Sequence, residues 1–464
     1  MKLPNGPRKR SFLKIRTIQW ILRPMELLEL YAQRYGEPFS IGGDGLPLAV
    51  YFSHPEALQQ IFTADPKLFD SGSGNDPLLP LVGDNSLLLL DGERHQRQRK
   101  LLTPPFHGER MRAYGKLICE IAQQVTRQWT RGEPFKVRSS MQEISLRTIL
   151  SAVFGLHEGE RYDQLRQLLS AMVDSIGSPL TSSFLFFESL QKDLGAWSPW
   201  GHFLRQKQRI RELLYSEIHE RRHLESRDSQ HQPLRSREDI LSLMISARDE
   251  SGQTMTDAEL HDELLTLLFA GHETTASALS WALYWIYSLP EVQEKLLNEL
   301  NALTPNLDPS EIAQLPYLTA VCQETLRIYP IALTTFGRIL KAPFSVMDYE
   351  FEPDTALIPV IYLTHRREDI YPEPQRFKPE RFLERQFSPY EYLPFGGGNR
   401  RCIGQAFALF EMKLVLATIV SRFQLSLADR RPIQPVRRGV TVAPPSTMRM
   451  VVAQLRSEKT PVLL

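Results

Sequence analysis

The run ELHDELLTLLFAGHETTASALSWALYWIYSL, residues 259 to 289, constrains this chain more than any other stretch. Thr256 and Glu259 are spaced as a capping box ahead of it, and Pro290 marks its end. The spacing predicts one helix of about 33 residues and ~50 Å, a rod that must cross the whole domain. Its middle is anomalous, because Ala270 and Gly271 lead into His272, Glu273, Thr274 and Thr275, a polar cluster inside an otherwise apolar span. Glycine costs ~1 kcal/mol in a helix interior and threonine can bond back to the preceding turn, so the hydrogen-bond ladder is expected to open here and hold water or a ligand. A zinc-binding H-E-x-x-H pattern fails, since position 276 is Ala276. The plainer alternative is a bent core helix whose threonine hydroxyls satisfy local carbonyls.

The rest of the sequence reads as mainly α with a small β part. MRAYGKLICEIAQQVTRQW (111–129) and DQLRQLLSAMVDSI (163–176) return apolar residues every three or four positions. PLAVYFS (47–53) is β-rich, and FSVMDYEFEPDTALIPVIY (344–362) reads as extended segments around a Glu-Pro-Asp turn. The polar run ESRDSQHQPLRSRED (225–239) reads as a surface loop without the length or bias of an interdomain linker, and there are no internal repeats. One domain over residues 1–464 is expected, with 1–20 as a basic lead-in, although length alone would allow about three domains.

Composition enters by exclusion. With 55 basic and 54 acidic residues the formal charge is +1, which offers no overall field for nucleic acid. The three cysteines, Cys119, Cys322 and Cys402, cannot build a disulfide scaffold, and a cytoplasmic, reducing setting is expected. The N-terminus has no apolar stretch near the ~20 residues that span a bilayer. KRSFLKIRTIQWILRP (9–24) nevertheless mixes basic and apolar residues, a composition suited to peripheral contact with an anionic membrane surface, against the plainer reading of a basic lead-in to a first helix.

In PYLTAVCQETLRIYP (316–330), Glu324 and Arg327 are three apart and share a helix face. Such pairs are usually solvated. The later PERF (379–382) offers Arg381 as a second guanidinium for the same carboxylate, and a buried Glu between two arginines would serve specificity rather than net stability.

FGGGNRRCIG (395–404) precedes IGQAFALFEMKLVLATIV, an apolar-periodic helix, so Cys402 is expected at a helix N-terminus where the dipole favours thiolate. Gly396, Gly397 and Gly398 allow close approach of the backbone, and Gly404 lets a flat object lie against the helix start. A thiolate beside a flat face suggests an iron macrocycle. The alternative, a nucleophile in a Cys/His arrangement, lacks a nearby histidine and leaves the glycines unexplained. Cys119 and Cys322 read as small core hydrophobes.

These residues carry a resemblance to the cytochrome P-450 superfamily. Phe395, Gly398, Arg400, Cys402 and Gly404 match its F-x-x-G-x-R-x-C-x-G haem-ligand signature, AGHETT resembles its oxygen-activation motif with Ala270 against the haem, ETLR its E-x-x-R motif and PERF the partner of that motif. DGERHQRQRK (91–100) looks like an early helix of the family, placing His95 and Arg99 where a haem propionate is bound. Arg338 in IALTTFGRIL resembles another propionate-binding arginine, one residue later than the family's pattern.

The resemblance implies a P-450 fold, with haem b between the long central helix and the loop of Cys402, its axial ligand. It implies a monooxygenase in which Glu273 and Thr274 act as an acid and alcohol pair delivering protons during oxygen activation. Electrons would come from a ferredoxin or flavodoxin and its reductase, docked near Arg97, Lys100, Arg401 and Lys413, unless those charges are ordinary solvated surface. The aromatic-rich segment 181–203, IALTTF and VTVAPPS resemble the walls of a lipophilic pocket, suggesting a long-chain fatty acid or related lipid ahead of terpenoids and steroids. A monomer is expected. The competing readings are a haem-thiolate ligand or gas sensor and a peroxide-using haem enzyme, neither of which needs the Glu273 and Thr274 pair.

Overall fold

The computed structural model describes residues 3–7, 13–43, 46–106, 110–175, 177, 187–195, 197–228, 239–303, 308–429 and 431–456. Most of the polar run at 225–239, part of the segment at 181–203 and part of the basic lead-in lie outside the described residues.

The helices, in chain order, are α1 (Leu13–Leu22), α2 (Pro24–Tyr35), α3 (Pro55–Thr63), α4 (Leu79–Val82), α5 (Gly92–Leu102), α6 (Arg110–Thr126), α7 (Val137–Phe154), α8 (Glu160–Ser175), α9 (Pro199–Asp228), α10 (Ile240–Ser246), α11 (Asp257–Ser288), α12 (Pro290–Asn301), α13 (Pro309–Ile312), α14 (Pro316–Ile328), α15 (Ile361–Thr364), α16 (Arg381–Glu384) and α17 (Gln405–Arg422). The strands are β1 (Phe39–Gly43), β2 (Leu46–Phe52), β3 (Phe69–Asp70), β4 (Pro134–Lys136), β5 (Arg338–Leu340), β6 (Phe344–Val346), β7 (Tyr349–Phe351), β8 (Ala356–Pro359), β9 (Phe423–Leu427), β10 (Val436–Arg438), β11 (Thr441–Ala443) and β12 (Arg449–Leu455). The mainly α expectation with a small β part is met.

α11 is the predicted rod, 32 residues long. Glu259 N–H donates to Thr256 Oγ1 at 3.2 Å while Glu259 Oε2 accepts Thr256 N–H at 2.7 Å, the reciprocal capping box. Pro290 opens α12 directly behind it, since a proline is welcome in a first helical turn and not in a ladder. Residues 260–268 and 275–284 of α11 are all buried, so the helix is the axis of the main core, packed by α7, α9, α14 and α17.

β9 and β12 pack into this main core, while the largest sheet has a core of its own. A five-stranded sheet runs β1-β2-β8-β5-β3, with β2 and β8 parallel and the other neighbours antiparallel, and α3 packs Leu58 and Ile61 into the core beside it. Segment 344–362 contains more turns than expected: β6 and β7 close a hairpin at Met347 and Asp348, with Met347 at φ 53°, before the Glu-Pro-Asp turn at Asp354, φ 65°. Its last residues enter α15 rather than remaining extended. β5 pairs Arg338 with Leu357 of β8, which buries that arginine under the sheet.

Candidate functional site

Cys402 sits between two short pieces of regular structure. The 3-10 turn Gly398–Arg400 precedes it, and α17 begins three residues later, capped by Gly404. Cys402 N–H donates to Phe395 O at 3.0 Å and closes the loop. Gly396 and Gly398 have φ of 71° and 63°, conformations that side-chain-bearing residues rarely adopt. A Cβ on Gly397 would fall 2.6 Å from the Phe62 ring, so what the glycines approach closely is α3. A Cβ on Gly404 would meet nothing within 4 Å, which leaves the start of α17 open to a flat group.

Cys402 is an exposed residue, yet its thiol is closely flanked by protein. Desolvation pushes the thiol pKa up, against the Gly404 N–H, Arg99 and Arg401, which pull it down. Burial therefore outweighs the helix-end effect that the sequence suggested, and the thiolate needs a cation to hold it. Cys119 and Cys322 are buried and their thiols pushed up to about 11 and about 12 by desolvation, as core residues.

Three guanidiniums gather beside this loop. Arg99 on α5 donates from Nη2 to Arg401 O at 2.6 Å, Arg338 on β5 donates from Nη2 to Gly397 O at 3.1 Å, and Arg400 donates from Nη1 to Leu87 O at 3.2 Å and from Nη2 to Leu90 O at 2.5 Å. Arg338 also lies 4.7 Å from the Phe62 ring centroid. Burial and then Arg400 lower the Arg338 pKa to about 10. His95, one turn before Arg99, is buried and pushed down to about 3 by desolvation, then by Arg400 and Arg99, so it is neutral. All four expected propionate contacts are thus in one cluster, and Arg400 Nε is buried without a partner.

The centre of α11 departs from expectation, because the helix is continuous through 270–275 and its ladder does not open. Gly271 serves packing instead: a Cβ there would lie 3.0 Å from Ile149 Cδ1 on α7, and Ser145 Oγ of α7 donates to Gly271 O at 3.3 Å. Thr274 Oγ1 donates to Ala270 O at 2.5 Å, the local bond of the plainer alternative. Glu273 is committed as well. Its Oε1 accepts from Arg138 Nη2 and lies 3.4 Å from Arg438 Nε, while its Oε2 accepts from Gln142 Nε2 at 3.1 Å. Ala270 is exposed and Phe269 and Gly271 are half-buried, between the buried runs 260–268 and 275–284, which marks a hollow at mid-helix.

Glu324, Arg327 and Arg381 assemble as expected and are buried. Arg327 forks onto Glu324 at 2.6 and 2.8 Å, Arg381 Nε reaches it at 3.3 Å, and Lys378 N–H donates to it at 2.8 Å. The remaining donors of both arginines go to backbone carbonyls, among them His365 O, Pro374 O, Pro372 O and Glu373 O. This cluster staples α14 to the loops that lead to the Cys402 segment.

The basic face proposed for a redox partner is only partly present. Arg97 is clamped by Asp249 Oδ2 at 2.6 Å and Glu259 Oε1 at 2.9 Å, and Lys413 donates to Ala313 O at 2.6 Å. Lys100 and Arg401 are exposed, Lys100 pairing with Glu250 at 2.7 Å. Acidic residues on α11 and the turn before it thus take up Arg97 and Lys100. Sequence reasoning missed Arg138, Gln142 and Arg438, whose contacts to Glu273 have no local signature, and Asp91, whose carboxylate meets Arg400.

The donor set suits a flat iron macrocycle with two carboxylates: an exposed cysteine, a cationic cluster with an unpartnered guanidinium nitrogen, an open helix start at Gly404, and a hollow at Ala270. Among the described residues no group of three or more His, Cys, Asp or Glu could hold a bare metal ion, and no helix is long and apolar enough to cross a membrane.

The family model for cytochrome P450 matches residues 4–451. The chain is 35% identical over 456 residues to the Mycobacterium tuberculosis protein named cytochrome P450 135B1, covering 98% of this chain and 92% of that one. It is 31% identical over 435 residues to cytochrome P450 138 of the same organism, covering 94% and 93%. Among solved structures, a retinoic-acid-bound cyanobacterial CYP120A1 superposes with TM-score 0.81 at 24% identity, over 98% of this chain and 100% of that one. The haem domain of cytochrome P450DA does so with TM-score 0.81 at 22% identity, over 99% and 98%, a likeness of fold. The chain belongs to the cytochrome P450 family.

Proposed function

We propose that this haem monooxygenase hydroxylates a lipophilic small molecule, a long-chain fatty acid or related lipid, with Cys402 as the axial ligand of haem b and electrons from a separate ferredoxin or flavodoxin with its reductase. The observation that carries the ligand assignment is the placement of the exposed residue Cys402 beside Arg99, in the same cluster as Arg338 and Arg400. Bound through a thiolate, haem supplies the reductive cleavage of dioxygen. The chain's own residues do the rest. Arg99, Arg338 and Arg400 bind the propionates, since planar guanidiniums stay charged and match carboxylates. Ala270 leaves space at mid-helix because its side chain is a single methyl group.

Thr274 and Glu273 handle protons in this reading. The Thr274 hydroxyl gives its own proton to Ala270 O but keeps lone pairs that can accept from a water, and Glu273 serves as the nearby acid once its arginine partners release it. The whole chain is read as one haem domain, in keeping with a family match over residues 4–451, and the separate electron donor is part of the same proposal.

The substrate class rests on apolar side chains around the segment that resembles a lid. Phe187, Leu190, Leu194 and Trp197 are all exposed, Trp197 at 80%, which is unusual for large hydrophobic residues in one stretch. Purified holoprotein titrated with long-chain fatty acids, terpenoids and steroids tests this by the shift of the haem spin state. Fatty acids are expected to give the tightest saturable shift. A shift with terpenoids or steroids alone would remove the fatty-acid assignment and leave the monooxygenase.

A further inference from the structure

Asp91 stands where a helix N-cap belongs, immediately before α5, and Asp-Gly-Glu at 91–93 has the look of one. Its carboxylate makes no capping bond. It turns away from the helix and accepts Ser71 N–H at 2.9 Å, Gly72 N–H at 2.8 Å and a hydrogen bond from Arg400 Nη2. Gly72 is held close enough that a Cβ would fall 2.7 Å from Asp91 Oδ2. Meanwhile the Asp91 carbonyl accepts His95 N–H at 3.3 Å and so starts the helix that carries Arg99.

The carboxylate is thus shared between the backbone N–H groups of Ser71 and Gly72 and one member of the cationic cluster, Arg400. Arg99, Arg338 and Arg400 bring three positive charges and His95 brings none, being neutral. One carboxylate among them leaves two positive charges, the number of carboxylates on haem b. With both Arg400 Nη atoms bonded to Asp91 and to Leu87 and Leu90 carbonyls, only its buried Nε lacks a protein partner. We propose that Asp91 is a positioning residue that fixes the Arg400 guanidinium and sets the net charge of the propionate cluster, and thereby the reduction potential of the haem. The inference rests on the reading that this cluster receives the propionates.

The test is the ferric/ferrous midpoint potential of purified holoprotein, with its melting temperature measured alongside. Removing one negative charge from a half-buried cluster favours the reduced state, whose positive charge is smaller. Asp91→Asn is expected to raise the potential by about 59 mV, a tenfold change in the oxidised-to-reduced ratio, on the scale of one charge acting across a partly buried site. Asp91→Glu keeps the charge and is expected to hold the wild-type potential even where its melting temperature falls. If Asp91→Asn accumulates poorly, Asp91→Ser carries the same test, because it too removes the charge. A wild-type potential in the neutral variants, with only melting lowered, would make Asp91 a loop anchor and overturn the inference alone. A wild-type protein that takes up haem without thiolate ligation would overturn the reading of the site, and the inference with it.

Discussion

Arg438 reaches from the β10–β11 hairpin to within 3.4 Å of Glu273 Oε1, tying the centre of α11 to the C-terminal part of the chain. Arg138 holds the same oxygen from α7. Two guanidiniums therefore share one carboxylate, with side chains no more than 14% exposed, and Arg438 also lies 3.8 Å from Asp174 Oδ1. Glu273→Ala strands Arg138 and leaves Arg438 only Asp174, and should lower stability by about 3 kcal/mol, whereas Arg438→Ala leaves the carboxylate with Arg138 and Gln142 and should lower it by about 1 kcal/mol. Denaturant unfolding of the two variants measures the difference, and equal losses would contradict the shared-carboxylate account.

The Glu324 cluster makes a larger demand. Glu324 and Arg327 are fully buried, so Glu324→Ala leaves Arg327 and Arg381 unpaired in the core, at about 3 to 5 kcal/mol, against under ~1 kcal/mol for a solvated pair. Haem content and thermal unfolding should both fall. Unchanged melting and full haem content would show that the cluster does not hold the Cys402 segment in place.

Much of this was legible in the sequence, and the limits have a physical cause. The rod of α11 was readable because a capping box, a periodic apolar run and a proline stop are all local signals. The loop around Cys402 was readable because glycines at positive φ leave a mark in composition. Pairs such as Arg138 with Glu273 and Arg400 with Asp91 span 135 and 309 residues, and no periodicity encodes them. One reading failed where a local argument met tertiary packing, since Gly271 admits α7 rather than opening the ladder; at Cys402 the Gly404 N–H pulls the thiol pKa down as a helix start should, against desolvation.

Stability should also depend on pH through Glu263 and Glu411. Both are buried, and desolvation raises each from the ordinary 4.5 to about 8. The folded protein then binds protons that the unfolded chain releases, so their contribution is fully present below about pH 4.5 and is lost as pH rises through about 8. Glu263 accepts Leu87 N–H at 2.7 Å, a bond that Glu263→Gln can keep. That variant should flatten the decline and be more stable than wild type at the alkaline end, by on the order of 2 kcal/mol. An unaltered pH profile of unfolding would show that Glu263 is ionised at neutral pH.

Thr274 separates proton delivery from helix maintenance. Losing its bond to Ala270 O should change stability by ~1 kcal/mol or less, since the helix ladder remains. Product formed per NAD(P)H should nevertheless fall and peroxide rise in Thr274→Ala, with Thr275→Ala as the neighbouring control, if its hydroxyl helps deliver protons. With a surrogate ferredoxin and reductase, an equal product fraction in Thr274→Ala and wild type would remove that role. A wild type that forms no product from any lipophile would favour the sensor reading.

The central claim is that Cys402, and neither Cys119 nor Cys322, ligates the haem iron as a thiolate. The most direct measurement is the carbon monoxide difference spectrum of the reduced protein, compared for wild type, Cys402→Ser, Cys119→Ser and Cys322→Ser. Wild type and the two core-cysteine variants should show the long-wavelength Soret band of thiolate ligation, and Cys402→Ser should lose it. Retention of that band in Cys402→Ser would contradict the account.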